Sequence, residues 1–334
     1  MKTINLMPDN SGWVTKEENL QLEKILFKCG YKITKRNIGI NQINFFPDKY
    51  SAKKKGRFFK LLGNKLAFDY YHGDPRISPE FKPFLDDLKK KSNIFSQVRV
   101  SHSGIEQLLN ESGFSGRITR IPIGIDLDIF NQVKEGRDQI RETLGLPKSA
   151  FIIGSFQKDG VGWGNGEEPK LIKGPDIFLK VIKELSNKYD DIFVLLTGPS
   201  RSYLINGLRK LKVNFKHFLV PNYKEIAYYY AAIDVYLVTS REEGGPKAIL
   251  ESMASKVPLV STRVGHALDL VENDFNGWIS EIEDYNSLIS HVINIYEGRY
   301  DIERVKLNGI HTAKENSYPM QIELWRNFFK KIDS

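Results

Sequence analysis

Two glutamates with seven residues between them bracket the segment of this chain richest in chemistry: Glu243-Gly244-Gly245-Pro246-Lys247-Ala248-Ile249-Leu250-Glu251. A hydrophobic run, Val235–Val238, leads into it. Proline is favoured at the first helical position, because its missing N–H would be unpaired there anyway. A helix is therefore expected to start near Pro246, with the N–H groups of Lys247 and Ala248 pointing out of its N-terminus. Such an end carries donors and partial positive charge, and it attracts anions. Gly244 and Gly245 let a ligand approach the backbone closely. Carboxylates beside an anion site repel the anion unless they hold something else. Sugar and ribose hydroxyls suit them, because carboxylates accept strong hydrogen bonds. A diphosphate at the helix end, with a hydroxylated ring on each side, satisfies all of these groups together, and that describes a sugar nucleotide.

The segment resembles the signature of glycosyltransferase family 4, a retaining family of GT-B architecture. The resemblance continues through Glu251-Ser252-Met253-Ala254-Ser255-Lys256-Val257-Pro258-Leu259-Val260. It includes Val264-Gly265-His266-Ala267-Leu268-Asp269, with His266 where a second glycine is usual and Asp269 where a glutamate is usual, and then Asn276-Gly277-Trp278-Ile279. Upstream, Ile121-Pro122-Ile123-Gly124-Ile125-Asp126 resembles the family's interdomain segment. Ile153-Gly154-Ser155-Phe156 with Lys173-Gly174 resembles its phosphate-binding strand, loop and helix.

The resemblance implies roles. Lys173 would bind the donor phosphates and stabilise the leaving diphosphate, where charge develops in the transition state. Glu243 would contact the donor sugar and Glu251 the ribose. Gly244, Gly245, Pro246, Lys247 and Ala248 would line the diphosphate and sugar. His72, in Tyr70-Tyr71-His72-Gly73-Asp74, would be the active-site histidine, and it also reads as an ordinary structural histidine. Gly12 would approach the phosphates and Gly198 would line the same site, while the base would be met around Val220 to Tyr223. The family's arginine after the first glycine is missing. Gln157 and Lys158 both stand as its substitute, and the loop onward to Lys173 is long. The resemblance implies a metal-independent reaction with a nucleoside-diphosphate sugar as donor and no cofactor. Asp126-Leu127-Asp128 has an acid–x–acid spacing that suits a divalent metal, but it falls on a linker and reads as incidental.

These residues must be positioned by a scaffold. Short apolar runs alternate with amphipathic stretches along the chain. Strands are expected at 3–7, 31–35, 42–46, 66–71, 98–101 and 117–122, with helices at 16–29 and 104–111. In the second half, strands are expected at 151–156, 192–197, 213–219, 235–239, 259–261 and 277–279, with helices at 176–188, 224–232 and 246–255. This alternation indicates parallel sheets covered by helices. The expected class is α/β, of GT-B type, with two doubly wound Rossmann-like domains facing a central cleft. The expected boundaries are 1–130 for the acceptor side, 131–314 for the nucleotide sugar, and 315–334 for a last helix that crosses back to the first domain.

The chain has 334 residues, a length that suits two domains. Its 41% hydrophobic content excludes a disordered or fibrous class. The single cysteine, Cys29, excludes an internal disulfide and a cysteine-rich metal site, and it fits a reducing, cytoplasmic setting. No leader-like N-terminal run is expected, and no apolar run approaches the roughly 18 residues of a membrane span. The net charge of +8 is unevenly placed. Lys49, Lys53, Lys54, Lys55, Arg57, Lys60 and Lys65 interleave with Phe58, Phe59, Leu61 and Leu62, and Lys89, Lys90 and Lys91 form a second run. Basic residues among apolar ones at 49–65 suit an anionic membrane surface. A solvated helix face or loop suits the same residues. No nucleic-acid partner is expected. The leading expectation is transfer of a sugar to a glycan or lipid-linked acceptor in surface polysaccharide or glycoconjugate synthesis. An epimerase or phosphorylase-like enzyme on the same fold, and a non-catalytic sugar-nucleotide binder, remain open beside it.

Overall fold

The computed structural model describes residues 2–8, 13–36, 38, 40–162 and 164–333. Two compact units emerge: Met1–Gly124 together with Asn316–Ser334, and Ile125–Glu315. The division comes earlier than residue 130 for a packing reason. Asp126 caps the short helix Leu127–Asn131 by accepting the Asp128 N–H, and Ile129 and Phe130 of that helix are buried in the second unit with Ile140 and Tyr230. The acid–x–acid spacing at 126–128 is thus a helix cap.

The first unit is a six-stranded parallel sheet of β1 (Thr3–Leu6), β2 (Lys32–Thr34), β3 (Ile43–Phe46), β4 (Lys65–Tyr70), β5 (Gln97–Val100) and β6 (Arg117–Arg120). The order is β2-β1-β3-β4-β5-β6. The second unit holds β7 (Phe151–Ser155), β8 (Ile192–Thr197), β9 (Asn214–Phe218), β10 (Val235–Val238), β11 (Leu259–Thr262) and β12 (Trp278–Ser280). Its order is β12-β11-β10-β7-β8-β9, again all parallel.

Parallel sheets are buried on both faces, so their strands read as continuous apolar runs. The second sheet shows why. Ile152, Leu195, Tyr236, Val238 and Leu259 point into one core, and Ile153, Val194, Leu196, Val235 and Leu237 into the other. The split follows the period of two along each strand. The helices Ser202–Leu211, Tyr285–Tyr296 and Ile302–Glu315 add to those expected. The middle one buries Leu288, Val292 and Ile295, a four-then-three spacing that puts them on one helical face.

In the first unit, the last helix, Ile322–Asp333, covers one sheet face. Trp325, Phe328 and Phe329 pack around Phe45, with ring centroids 5.8–6.1 Å away. Beneath them lies a buried charge cluster. The Arg99 guanidinium donates to the carbonyls of Ile121 (2.6 Å) and Pro122 (2.8 Å) and to the Tyr71 hydroxyl (2.7 Å). It also lies 3.5 Å from Glu18 and from Asp69. Burial pushes the Asp69 carboxyl up to about 7, against the pull of Arg99.

The basic segment is mostly the helix Lys49–Leu61, capped by Asp48, which accepts the Ser51 N–H at 2.8 Å. Part of the sequence reading is corrected here. Lys49 and Phe59 are buried, and the Lys49 ammonium sits 4.4 Å above the Tyr70 ring and 4.2 Å above that of Phe81. Lys54, Arg57, Phe58, Lys60 and Leu61 do lie on the outside. Among the described residues, no helix is long and apolar enough to cross a membrane.

Candidate functional site

In the second unit, the chain order reverses between β7 and β10, which lie side by side (Val235 opposite Ile153, Tyr236 opposite Gly154). Loops leaving the carboxyl ends of two such strands diverge and leave a crevice, the usual ligand site of open α/β sheets. Gln157 follows β7. Thr239 to Pro246 follow β10 and lead to the helix Lys247–Ala254. The helix starts one residue later than expected. Pro246 has ψ 114° and is the cap, and the N–H groups of Lys247 and Ala248 belong to the first turn.

Lys173 ends a tight turn, Leu171–Lys173, between β7 and the helix Pro175–Lys188. The β10 loop grips that turn. Ile172 carbonyl accepts the N–H groups of Arg241 (2.8 Å) and Glu242 (3.1 Å). Arg241 donates to both oxygens of Asp176 (2.8 and 2.7 Å) and to Leu171 carbonyl (2.6 Å). Gly174 must be glycine. Its φ is +62°, and a Cβ there would lie 1.8 Å from the Thr239 carbonyl oxygen.

Held in this way, the Lys173 ammonium donates to Glu243 Oε2 at 2.5 Å, and Ser240 Oγ donates to Glu243 Oε1 at 2.8 Å. Glu243 is buried and the Lys173 side chain one-fifth exposed. Gln157 Nε2 donates to Lys173 carbonyl at 3.1 Å. Glu243, Lys173 and Gln157 therefore converge. Ser240 joins them unforeseen, and its place at the end of an apolar strand was the available signal. Gly265 packs against the same turn, since a Cβ on it would meet Pro246 Cδ at 2.8 Å and Glu243 Cβ at 3.1 Å. His266 is buried, with Nε2 2.8 Å from the Pro246 carbonyl. The histidine that replaces the second glycine thus braces the helix entrance.

Glu251 lies inside the helix. One oxygen accepts the Tyr223 hydroxyl (2.5 Å) and the other that of Tyr230 (2.9 Å). Burial pushes its carboxyl above the usual range, while Tyr223, Lys247 and Tyr230 pull it down. Tyr223 is thereby a partner of Glu251, and Lys247 Nζ lies 5.2 Å over the Tyr223 ring. Tyr230 was missed, because Tyr228-Tyr229-Tyr230 reads as helix packing. Val220 packs half-buried on the same core. Gly198 follows β8 with φ +88°, and its carbonyl lies 2.7 Å from His217 Nε2. Lys158 is half-buried just after Gln157.

His72 belongs to the first unit, just past β4. It is half-buried and edge-on to Phe81 at 5.7 Å, and its carbonyl accepts the Lys49 ammonium. Gly12 lies outside the described residues. Among the described residues, no three His, Cys, Asp or Glu side chains gather as a metal site.

The arrangement is a buried carboxylate and an ammonium at a sheet switch point, beside a glycine-rich entrance to a helix. Comparison with known proteins identifies the class. Residues 169–311 match the family model of Glycosyl transferases group 1. A putative teichuronic acid biosynthesis glycosyltransferase of Bacillus subtilis is 30% identical over 241 residues, 68% of this chain and 56% of that protein. An Escherichia coli UDP-Gal:alpha-D-GlcNAc-diphosphoundecaprenol alpha-1,3-galactosyltransferase is 26% identical over 190 residues, 55% of this chain and 46% of that protein. The chain thus spans about half the length of these relatives. The structure of Anabaena HepE in complex with UDP aligns with a TM-score of 0.78 at 14% identity, covering 99% of this chain and 100% of that one. The fold is GT-B. The chain carries a group 1 glycosyltransferase domain over residues 169–311.

Proposed function

We propose that this protein is a retaining, metal-independent glycosyltransferase of family 4 type. It moves a hexose from a nucleoside-diphosphate sugar to a glycan or lipid-linked acceptor, in surface polysaccharide or glycoconjugate synthesis at the cytoplasmic face of a membrane. The observation that carries this reading is the Lys173–Glu243 pair at the β7/β10 switch point, beside the Gly244-Gly245-Pro246 turn. With donor bound, the Lys173 ammonium turns to the diphosphate and offsets the charge that grows on it as the sugar leaves. Glu243 is released to accept hydroxyl hydrogen bonds from the donor sugar, and Glu251 those of the ribose. The names of the B. subtilis and E. coli relatives, and the UDP in HepE, support the nucleotide-sugar donor and the lipid-linked acceptor. Lys54, Arg57, Phe58, Lys60 and Leu61 on the outer face of the helix Lys49–Leu61 would meet the anionic surface that carries such an acceptor.

The test is a panel of UDP-, GDP- and ADP-sugars, with and without a lipid-linked acceptor, reading release of nucleoside diphosphate. Acceptor-dependent release is expected from one donor, undiminished by EDTA and with retained anomeric configuration. Glu243→Ala and Lys173→Ala are each expected to lower kcat about 100-fold or more, the scale for removing a group that stabilises developing charge. Wild-type rates in both variants would overturn the site. Epimerisation or phosphorolysis of a sugar without acceptor would overturn the transfer.

A further inference from the structure

Between β7 and the Lys173 turn, residues 159–161 pair with 168–170 as the base of a hairpin. Gly160 and Pro169 bridge antiparallel, Val161 N–H donates to Glu168 carbonyl (2.9 Å), and Lys170 N–H donates to Asp159 carbonyl (2.7 Å). Its base is clamped. The Asp159 carboxylate is buried 3.1 Å from Arg201 Nε, and Arg201 also donates to the carbonyls of Ser155 (2.9 Å) and Thr197 (2.6 Å). The hairpin is thus fixed to the ends of β7 and β8, at the mouth of the site.

It delivers Lys170. This residue caps the turn Leu171–Lys173, and its carbonyl accepts the Lys173 N–H at 2.8 Å. That backbone bond holds Lys170 one turn from Lys173, beside the crevice. Lys170 is half-buried and lies within electrostatic reach of Lys173, Glu243, Lys158 and Glu242. Its ammonium makes no hydrogen bond or ion pair with any described residue. Burial pushes it below the usual lysine range, Lys173 pushes the same way, and Glu243 opposes both. A partly desolvated, unpaired cation beside a second cation is unfavourable until an anion arrives. Gln157 cannot supply such a cation, because it is neutral and its amide is engaged by the Lys173 carbonyl.

We propose that Lys170 is the second phosphate-binding cation of the donor site, supplied by the hairpin in place of an arginine after β7. The proposal rests on the nucleoside-diphosphate donor read above. It assigns the hairpin a purpose: the hairpin carries a charge from the far side of the loop back to the crevice.

The test is calorimetric titration of the full chain with UDP, GDP and ADP. The tightest of the three is then titrated into Lys170→Ala, Lys170→Arg and Lys158→Ala, with thermal melts of each. Lys170→Ala is expected to raise Kd about tenfold or more at an unchanged Tm. Lys170→Arg is expected to restore Kd to within about threefold. Unchanged binding by Lys170→Ala, or loss only in Lys158→Ala, overturns the role of Lys170 and leaves the donor reading standing. A lowered Tm with equal loss in the Ala and Arg variants overturns it as well, by showing a structural role. Failure of the wild-type chain to bind any of the three diphosphates overturns both readings.

Discussion

Glu251 is a carboxylate whose ionisation is opposed by its own burial. Its carboxylate is buried and both oxygens are engaged by tyrosine hydroxyls, yet burial still raises its pKa. A carboxyl whose folded pKa lies above the unfolded value holds its proton more tightly when folded. Its stabilising effect is full below the unfolded value and is lost as pH rises through the folded one. Glu251→Gln removes the buried charge and keeps the shape. It is expected to melt higher than wild type at pH 7 and level with it near pH 4, while binding the nucleoside diphosphate more weakly. A variant that melts lower than wild type at pH 7 would show that the ionised carboxylate is worth more than its burial costs. Lys173 and Glu243 differ from Glu251 in being partners of each other. Each neutralises the other, which keeps two charges at the crevice without an uncompensated burial.

At the scale of elements, the glycine-rich stretch 160–166 was legible as a loop and not as a nucleotide-binding turn. What it does was not legible, because its partners are remote in sequence. Gly166 has φ +76°, and a Cβ there would lie 2.3 Å from the Ser200 carbonyl oxygen, so the hairpin closes against the β8 loop only with glycine. Arg201 completes the closure. Removing one partner of a buried ion pair leaves the other charge unpaired, at about 3–5 kcal/mol. Arg201→Met is therefore expected to lower unfolding free energy by about 3–5 kcal/mol in urea denaturation, and Arg201→Met with Asp159→Leu to recover much of it. Equal stability of wild type and the single variant would show that the pair does not hold the hairpin. The helix Lys49–Leu61 carries the opposite lesson. Its basic residues looked equivalent in sequence, but helical periodicity turns Lys49 and Phe59 inward and Lys54, Phe58 and Leu61 outward.

The whole molecule is basic, and charge of this kind acts at long range on surfaces and soluble anions. Attraction to a bilayer sums many weak contributions, about 1 kcal/mol per basic residue near the surface. Sedimentation with vesicles of anionic phospholipid is expected to pellet most of the wild-type chain at low salt and little of it with neutral vesicles. Combined substitution Lys54→Glu, Arg57→Glu and Lys60→Glu is expected to abolish pelleting, and Phe58→Ser with Leu61→Ser to weaken it severalfold. Equal pelleting of wild type and the charge-reversed variant would remove this face from the account.

The sequence by itself determined the class of the molecule. Strands of parallel sheets are buried on both faces, so apolar runs such as Phe151–Phe156 and Ile192–Thr197 announce themselves without knowledge of their neighbours. The grouping of the local candidate residues was legible for a different reason. Glu243, the glycine pair, Pro246 and Glu251 lie on one strand–turn–helix segment, where covalent connection alone limits their distances. Tertiary structure decided everything that joins distant segments. It brought Lys173 onto Glu243 across 70 positions, set Tyr223 and Tyr230 on Glu251, and used His266 to brace the Pro246 carbonyl. It also moved the unit division to Gly124, because Ile129 and Phe130 found their apolar partners in the second core. The physical reason is one of range. Propensity, capping and periodicity act over a few residues, whereas hydrogen bonds and buried charges select partners by position in space, and that position exists only once the sheet order is fixed.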